Sequence, residues 1–177
     1  MLILPYQPTW PKRFGQIAEV LLATLQGLPV KIHHVGSTSV PGLAAKDIID
    51  IDIAHPEAVT LGEIAERLAS IGYQHNGDQG IPLREVFKRK ERQENHPVLD
   101  RFVHHLYVCP NNSPELKRHL HFRDQLRASL TLREAYASLK ESIAQAANQD
   151  KKVYASLKEA KARNFIETVL LSEPPPA

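Results

Sequence analysis

The chain has 177 residues, 42% of them apolar and 24% charged, with a formal net charge of +2 and nine histidines. That is enough for one well-buried core and the ordinary mixture of a globular protein, and it excludes a polyelectrolyte that binds nucleic acid through overall charge. Cys109 is the single cysteine, so no intrachain disulfide forms, and no apolar run reaches membrane-spanning length.

The opening "MLILPYQPTWPKRF" has a short apolar start interrupted at Pro5, unlike a secretory signal, and the expectation is a cytoplasmic protein with no membrane partner. From Pro11 to Gln26, Phe14, Ile17, Ala18, Leu21 and Leu25 recur at helical spacing, and Gly27 and Pro29 stop the pattern. "VKIHHV" predicts a strand running into Gly36, and "STSVPGLAA" a loop that opens a short helical turn. In "IIDIDIA" strand alternation turns Ile49, Ile51 and Ile53 to one face and Asp50 and Asp52 to the other.

Pro56 at a first helical position, then Leu61, Ile64, Ala65, Leu68 and Ile71 with Gly72 behind them, predict a second amphipathic helix covering a sheet face. "YQHNGDQGIP" reads as a strand end and loop, "EVFKRK" as a strand, "ERQENHPVLD" as a polar connection and "RFVHHLYVC" as a further strand. "SPEL" supplies a serine cap, "TLRE" at Thr131 to Glu134 fits a capping box, and three helices are expected between Ser113 and Leu171. The expected organisation is one domain over 1–177, with an α/β core to 110, helices over 111–172 and a frayed tail at 173–177.

Two carboxylates at i and i+2 on one strand face repel, and burying them without counter-charge would cost several kcal/mol or force one to take a proton. A divalent cation answers them. Hard oxygen ligands suit Mg²⁺ or Mn²⁺, which keep waters and bind triphosphate oxygens beside one or two carboxylates. Gly36 and Ser37 enter a helical start whose backbone N–H groups and hydroxyl suit phosphate. The alternative is a pair of aspartates at an exposed sheet edge.

The Gly-Ser pair at a strand end followed by Asp-Ile-Asp on an apolar strand resembles the h-G-[GS]…D-h-D-h signature of the nucleotidyltransferase superfamily. More narrowly, "HHVGSTSVPGLAAKDIIDIDI", "FVHHLYV" and "RHLHFRDQLR" resemble the GrpB family of small bacterial proteins, and the resemblance covers nearly the whole chain. It implies an α/β (α+β) nucleotidyltransferase-like mixed sheet flanked by helices, with a helical C-terminal part. It further implies that Gly36 and Ser37 contact the phosphates of ATP or another nucleoside triphosphate, and that Asp50 and Asp52 are catalytic ligands of Mg²⁺ or Mn²⁺. The implied reaction is transfer of a nucleotidyl group to an unidentified small acceptor.

Two departures stand out. The family commonly has proline after the lysine, where this chain has Asp47, and Tyr107 replaces the second histidine of the "HHLHV"-type motif. Catalytic superfamily members usually carry a third carboxylate on a later strand; here that strand offers His104 and His105, with Asp100 before it and Glu85 on the preceding strand. His105 is the candidate catalytic base. Lys46 meets a phosphate or is solvated, and His34 touches ligand or packs under the loop. Arg84, Lys88, Arg118, Arg123 and Arg127 are candidate anion contacts, and the spacing of the histidines does not suit structural zinc. The second functional class is a non-catalytic nucleotide-binding or helper module, associated with dephospho-CoA kinase, to which GrpB-like domains are fused in some bacteria.

Overall fold

A computed structural model describes residues 1–89 and 96–172; the expected frayed tail at 173–177, the last residue of the expected strand "EVFKRK" and the first half of the polar connection lie outside them. In chain order the elements are α1 (Thr9–Thr24), β1 (Lys31–Val35), a 3₁₀ turn (Ser37–Ser39), β2 (Ile49–His55), α2 (Leu61–Ser70), β3 (Tyr73–His75), β4 (Glu85–Arg89), β5 (His104–Pro110), α3 (Pro114–Ala128), α4 (Leu130–Ala146) and α5 (Lys151–Leu170). The strands form one mixed sheet in the order β1-β2-β5-β4-β3. β2 and β5 run parallel, the other pairs antiparallel. A parallel pair needs a crossover, and α2, β3 and β4 lie between the two strands in sequence.

The register sets the two faces of the sheet. Asp50 lies between Val35 and His105, and Asp52 between His33 and Tyr107. Partners in register share a face, so His33, Val35, His105 and Tyr107 line up with the aspartates. On the other face Ile49, Ile51 and Ile53 join Leu106 and Val108 of β5 in a core closed by Trp10, Ile17 and Leu21 of α1 and Ile64 and Leu68 of α2. A second apolar cluster ties the C-terminal helices, through Leu126, Tyr136, Ile143 and Tyr154, to Val40 and Leu43 after the 3₁₀ turn. Those helices therefore cover the segment that carries Gly36 and Ser37.

Three boundaries differ from the sequence reading. Pro56 does not open α2: its carbonyl accepts from the Val59 amide at 3.0 Å in a separate turn. The helix starts after Thr60, whose Oγ1 accepts from the Glu63 amide at 3.3 Å while Glu63 Oε2 accepts from the Thr60 amide at 2.8 Å. The box expected at Thr131 does not form, because α3 ends on an extended Ser129 whose Oγ accepts from the Leu132 amide at 3.2 Å and starts α4. β5 begins at His104 rather than Arg101, since Arg101 closes a turn onto the Val98 carbonyl at 3.2 Å. The Ser113 cap on α3 forms as expected, accepting from the Leu116 amide at 3.4 Å.

Candidate functional site

β1 delivers the chain to Gly36 at φ +68°, a left-handed conformation that only glycine adopts without strain. A Cβ added there would lie 2.3 Å from Asp50 Oδ2, so the loop backbone is pressed against the first aspartate. The conformation and the close approach both require glycine. Ser37 follows at the head of the 3₁₀ turn, where its Oγ accepts from Lys140 Nζ of α4 at 3.1 Å.

Each aspartate has its own imidazole. His105 Nδ1 donates to Asp50 Oδ1 at 2.9 Å, and His119 Nδ1, from α3, donates to Asp52 Oδ2 at 2.8 Å. The Asp50 side chain is 29% exposed and that of Asp52 is 0% exposed. His119 is held on both sides, since its Nε2 lies 3.2 Å from Glu115 Oε1. Desolvation alone would lower the His119 pKa, but the bonds to Asp52 and Glu115 raise it to about 9. The opposite oxygen of Asp52, Oδ1, is buried and has no hydrogen-bond partner among the described residues.

Beside this pair lies a cavity of about 780 Å³, lined by Ser37, Asp50, His105 and Tyr107 and by several cations from different elements. Lys140 is 2% exposed and lies over the Tyr136 ring; besides Ser37 it donates to the Ala44 carbonyl. Desolvation, then the neighbouring Lys158, lower its pKa to about 7, against a small opposing pull from Glu141. Lys158 on α5 is half-buried, and Tyr136 before Tyr154 and Asp50 holds its pKa up against desolvation. Lys46 lies over the Tyr154 ring at 4.0 Å, with its pKa lowered by burial and by Lys158 and Lys151.

The sequence candidates separate accordingly. Gly36, Ser37, Lys46, Asp50 and His105 meet at or against the cavity, and Asp52 lies behind them on the same strand face. Arg84 and Arg118 line the cavity as well. His34 does not: it stacks on Phe14 at 4.6 Å and lies 3.1 Å from Thr38 Oγ1, under the loop on the apolar side. His104 is bonded to Tyr73 and to the Phe102 carbonyl, Asp100 to Arg89, and Glu85 to His75, so none of them supplies a third carboxylate or base beside the aspartates. Arg123 and Arg127 donate to the His34 and Ser39 carbonyls and brace the loop from α3. Lys88 lines a separate cavity. Asp47, the residue in place of the family's proline, accepts from Trp10 Nε1 at 2.7 Å and Arg13 Nη1 at 2.6 Å and pins α1 to the loop.

Sequence reading missed Glu115, His119, Lys140 and Lys158. Glu115 and His119 stand at i and i+4, one turn apart on α3. Lys140 falls on the inward stripe of α4 marked by Tyr136, Ile143 and Ala144, a position where a lysine is out of place unless it meets an anion.

A family model described as GrpB protein matches residues 1–170. The chain belongs to the GrpB family. It is 30% identical over 172 residues to glutamate-rich protein GrpB of Alkalihalophilus pseudofirmus, covering 96% of this chain and 94% of that protein. It is 32% identical over 142 residues to UPF0157 protein YqkA of Bacillus subtilis, covering 80% of this chain but only 39% of that protein's length. A dephospho-CoA kinase of Mycolicibacterium paratuberculosis is 28% identical over 89% of this chain and 43% of its own. Among solved structures, conserved protein GrpB from Enterococcus faecalis superposes with a TM-score of 0.76 at 30% identity, covering 95% of this chain and 96% of that one. The Cid1 poly(U) polymerase bound to MgGTP superposes with a TM-score of 0.56 at 17% identity, over 81% of this chain and 44% of that one, which places this GrpB protein in the nucleotidyltransferase fold. No helix among the described residues is long and apolar enough to cross a membrane.

Proposed function

We propose that this GrpB protein binds a nucleoside triphosphate, ATP or another, with Mg²⁺ or Mn²⁺ in the 780 Å³ cavity and transfers its nucleotidyl group to a small acceptor. The observation that carries the reading is the contact of Gly36 with Asp50, which joins a phosphate-type loop to an acidic strand with the buried Lys140 bonded to the loop's serine. The donor set suits a hard cation: two carboxylates share a face, and the buried Asp52 Oδ1 lacks a partner among the described residues. Groups of three or more His, Cys, Asp or Glu able to hold a metal do not occur among the described residues, so an ion held by these two carboxylates would need to draw the rest of its shell from phosphates and water. Asp50 and Asp52 would hold the ion, and when bound it neutralises charge on the transferring phosphate.

The side chains divide the remaining work. Ser37 uses an oxygen lone pair to accept from Lys140, which leaves its O–H to donate to a phosphate oxygen. Lys46, Lys140 and Lys158 offset the triphosphate charge. His105 donates through Nδ1 to Asp50, so in its neutral form Nε2 carries a lone pair. The acceptor oxygen attacks the α-phosphorus, the bond to the bridging oxygen breaks, pyrophosphate leaves, and His105 Nε2 takes the acceptor's proton.

One observation favours a helper module instead: Asp52 already has a histidine counter-charge in His119, and β5 presents His105 and Tyr107 where a third carboxylate would stand. The likeness to part of a dephospho-CoA kinase supports that reading with a kinase partner. Pyrophosphate release and thermal shift, measured together with labelled nucleoside triphosphates, Mg²⁺ or Mn²⁺ and a metabolite library, decide between them. Turnover that falls about 10²-fold in His105→Ala with nucleotide binding retained is the enzyme result. A thermal shift without pyrophosphate is the module result, and neither signal would refute both.

A further inference from the structure

The lysines and Ser37 account for one part of the cavity, but Arg84 and Arg118 line it too and are not among the groups assigned above to the triphosphate. Arg84 lies just before β4 with its guanidinium 4.8 Å over the Tyr107 ring. Its Nε is buried without a hydrogen-bond partner among the described residues. Arg118 extends from the first turns of α3. Both act on the same carboxylate, Glu115, whose pKa is lowered first by its bond to His119 and then, against desolvation, by the charge of His119 and after it by those of Arg118 and Arg84. Glu115 thus spends one oxygen on His119, and Arg84 and Arg118 share a single carboxylate that is already engaged.

The lysines, by contrast, act on one another and on Ser37, Tyr136 and Tyr154. Asp50 acts on Lys46 and Lys158 and also on Tyr107, the ring over which Arg84 lies. The volume lies in the upper part of the roughly 300–1,000 Å³ range of small-molecule sites.

We propose that the acceptor is an oxyanion-bearing molecule, a small carboxylate or phosphate ester, whose anionic group is held by Arg84 and Arg118 at the Tyr107–Glu115 end of the cavity. This rests on the nucleotide reading of the same cavity. A guanidinium held over an aromatic ring matches the planar, bidentate geometry of carboxylate and phosphate oxygens, whereas a neutral or cationic acceptor would bring no counter-charge to it.

The test is calorimetric titration of inorganic phosphate into the full chain, alone and saturated with the non-hydrolysable α,β-methylene analogue of ATP. Phosphate is expected to bind in both states. Arg84→Gln and Arg118→Gln should each weaken it roughly 10- to 100-fold, leaving the analogue's affinity unchanged. Arg84→Lys, which keeps the charge but loses the fork, should fall between, and Lys140→Met should weaken the analogue while sparing phosphate. Phosphate displaced by the analogue, with Arg84→Gln and Arg118→Gln unaffected, overturns the inference because the ion then sits in the triphosphate site. Phosphate binding that depends on Arg84 in a protein that does not bind the analogue keeps the anion subsite and removes the nucleotide reading instead.

Discussion

Ile51 and Asp52 are adjacent on β2 and both are fully buried, yet their surroundings have little in common. Ile51 points into a dry layer made by α1, α2 and the neighbouring strands, where its contribution is area removed from water. Asp52 points toward α3, with one oxygen on His119 and the other without a partner among the described residues. The difference teaches that one strand can hold a fold together on one side and store unspent polar capacity on the other. A buried polar atom left unsatisfied opposes folding, and this one lies on the same strand face as Asp50, which lines the cavity.

Substitutions can break this contrast, beginning with the largest effect. Asp52→Asn removes the charge that answers His119 and should cost about 3–5 kcal/mol of stability in urea unfolding. Adding His119→Gln should recover part of that loss, and strict additivity would mean the two side chains are not energetically coupled. Ile51→Ala empties the dry side and should cost about 2–5 kcal/mol. Its folded fraction should bind nucleotide like the wild type; a parallel loss of affinity would show that the two faces are not separable. Gly36→Ala forces a Cβ into the Asp50 carboxylate at a positive φ and should cost roughly 1–3 kcal/mol of backbone strain as well as most of the nucleotide affinity. A normal melting temperature and normal binding in that variant would remove the loop from the site.

The last effect is a slope. Lys140 titrates near 7 in the fold and near its ordinary 10.5 when unfolded, so between those values the unfolded chain binds more protons and stability rises with pH. The facing charges are Lys158 on α5 and Glu141 on its own helix. Unfolding experiments across pH 7 to 10 should show that rise in the wild type and a flatter profile in Lys140→Met. Identical profiles would place the Lys140 ammonium in water. Because a triphosphate would restore the ammonium form, nucleotide binding above pH 7 should also take up a proton, read as a buffer-dependent heat in calorimetry.

What the sequence made legible was local. Period-two alternation separates Ile49, Ile51 and Ile53 from Asp50 and Asp52 without knowledge of any partner strand, and the stripe from Phe14 to Leu25 announces α1 in the same way. Gly36 and Ser37 are recognised through a short motif whose chemistry depends on adjacent residues. The missed parts depend on distance. His119 reaches Asp52 across 67 positions and Lys140 reaches Ser37 across 103, pairings that no local pattern encodes. Asp47 shows the same limit from the structural side: its partners Trp10 and Arg13 lie 37 and 34 positions away, so its bracing role had no signal in the loop itself. Helix starts failed where two caps competed, as Ser129 displaced Thr131 simply by being where α3 ends.

The central claim is that a nucleoside triphosphate sits between the Gly36–Ser37 loop and the aspartate strand. Calorimetric titration of ATP with Mn²⁺ into wild type, Ser37→Ala and the Asp50→Asn, Asp52→Asn double variant tests it most directly, with folding of each verified by circular dichroism. Ser37→Ala should lose roughly 0.5–1.5 kcal/mol of ATP affinity, or more where the bond is to ionised phosphate, and the double variant should lose the enhancement that Mn²⁺ and ATP give each other. Equal affinities for all three folded proteins would contradict the account.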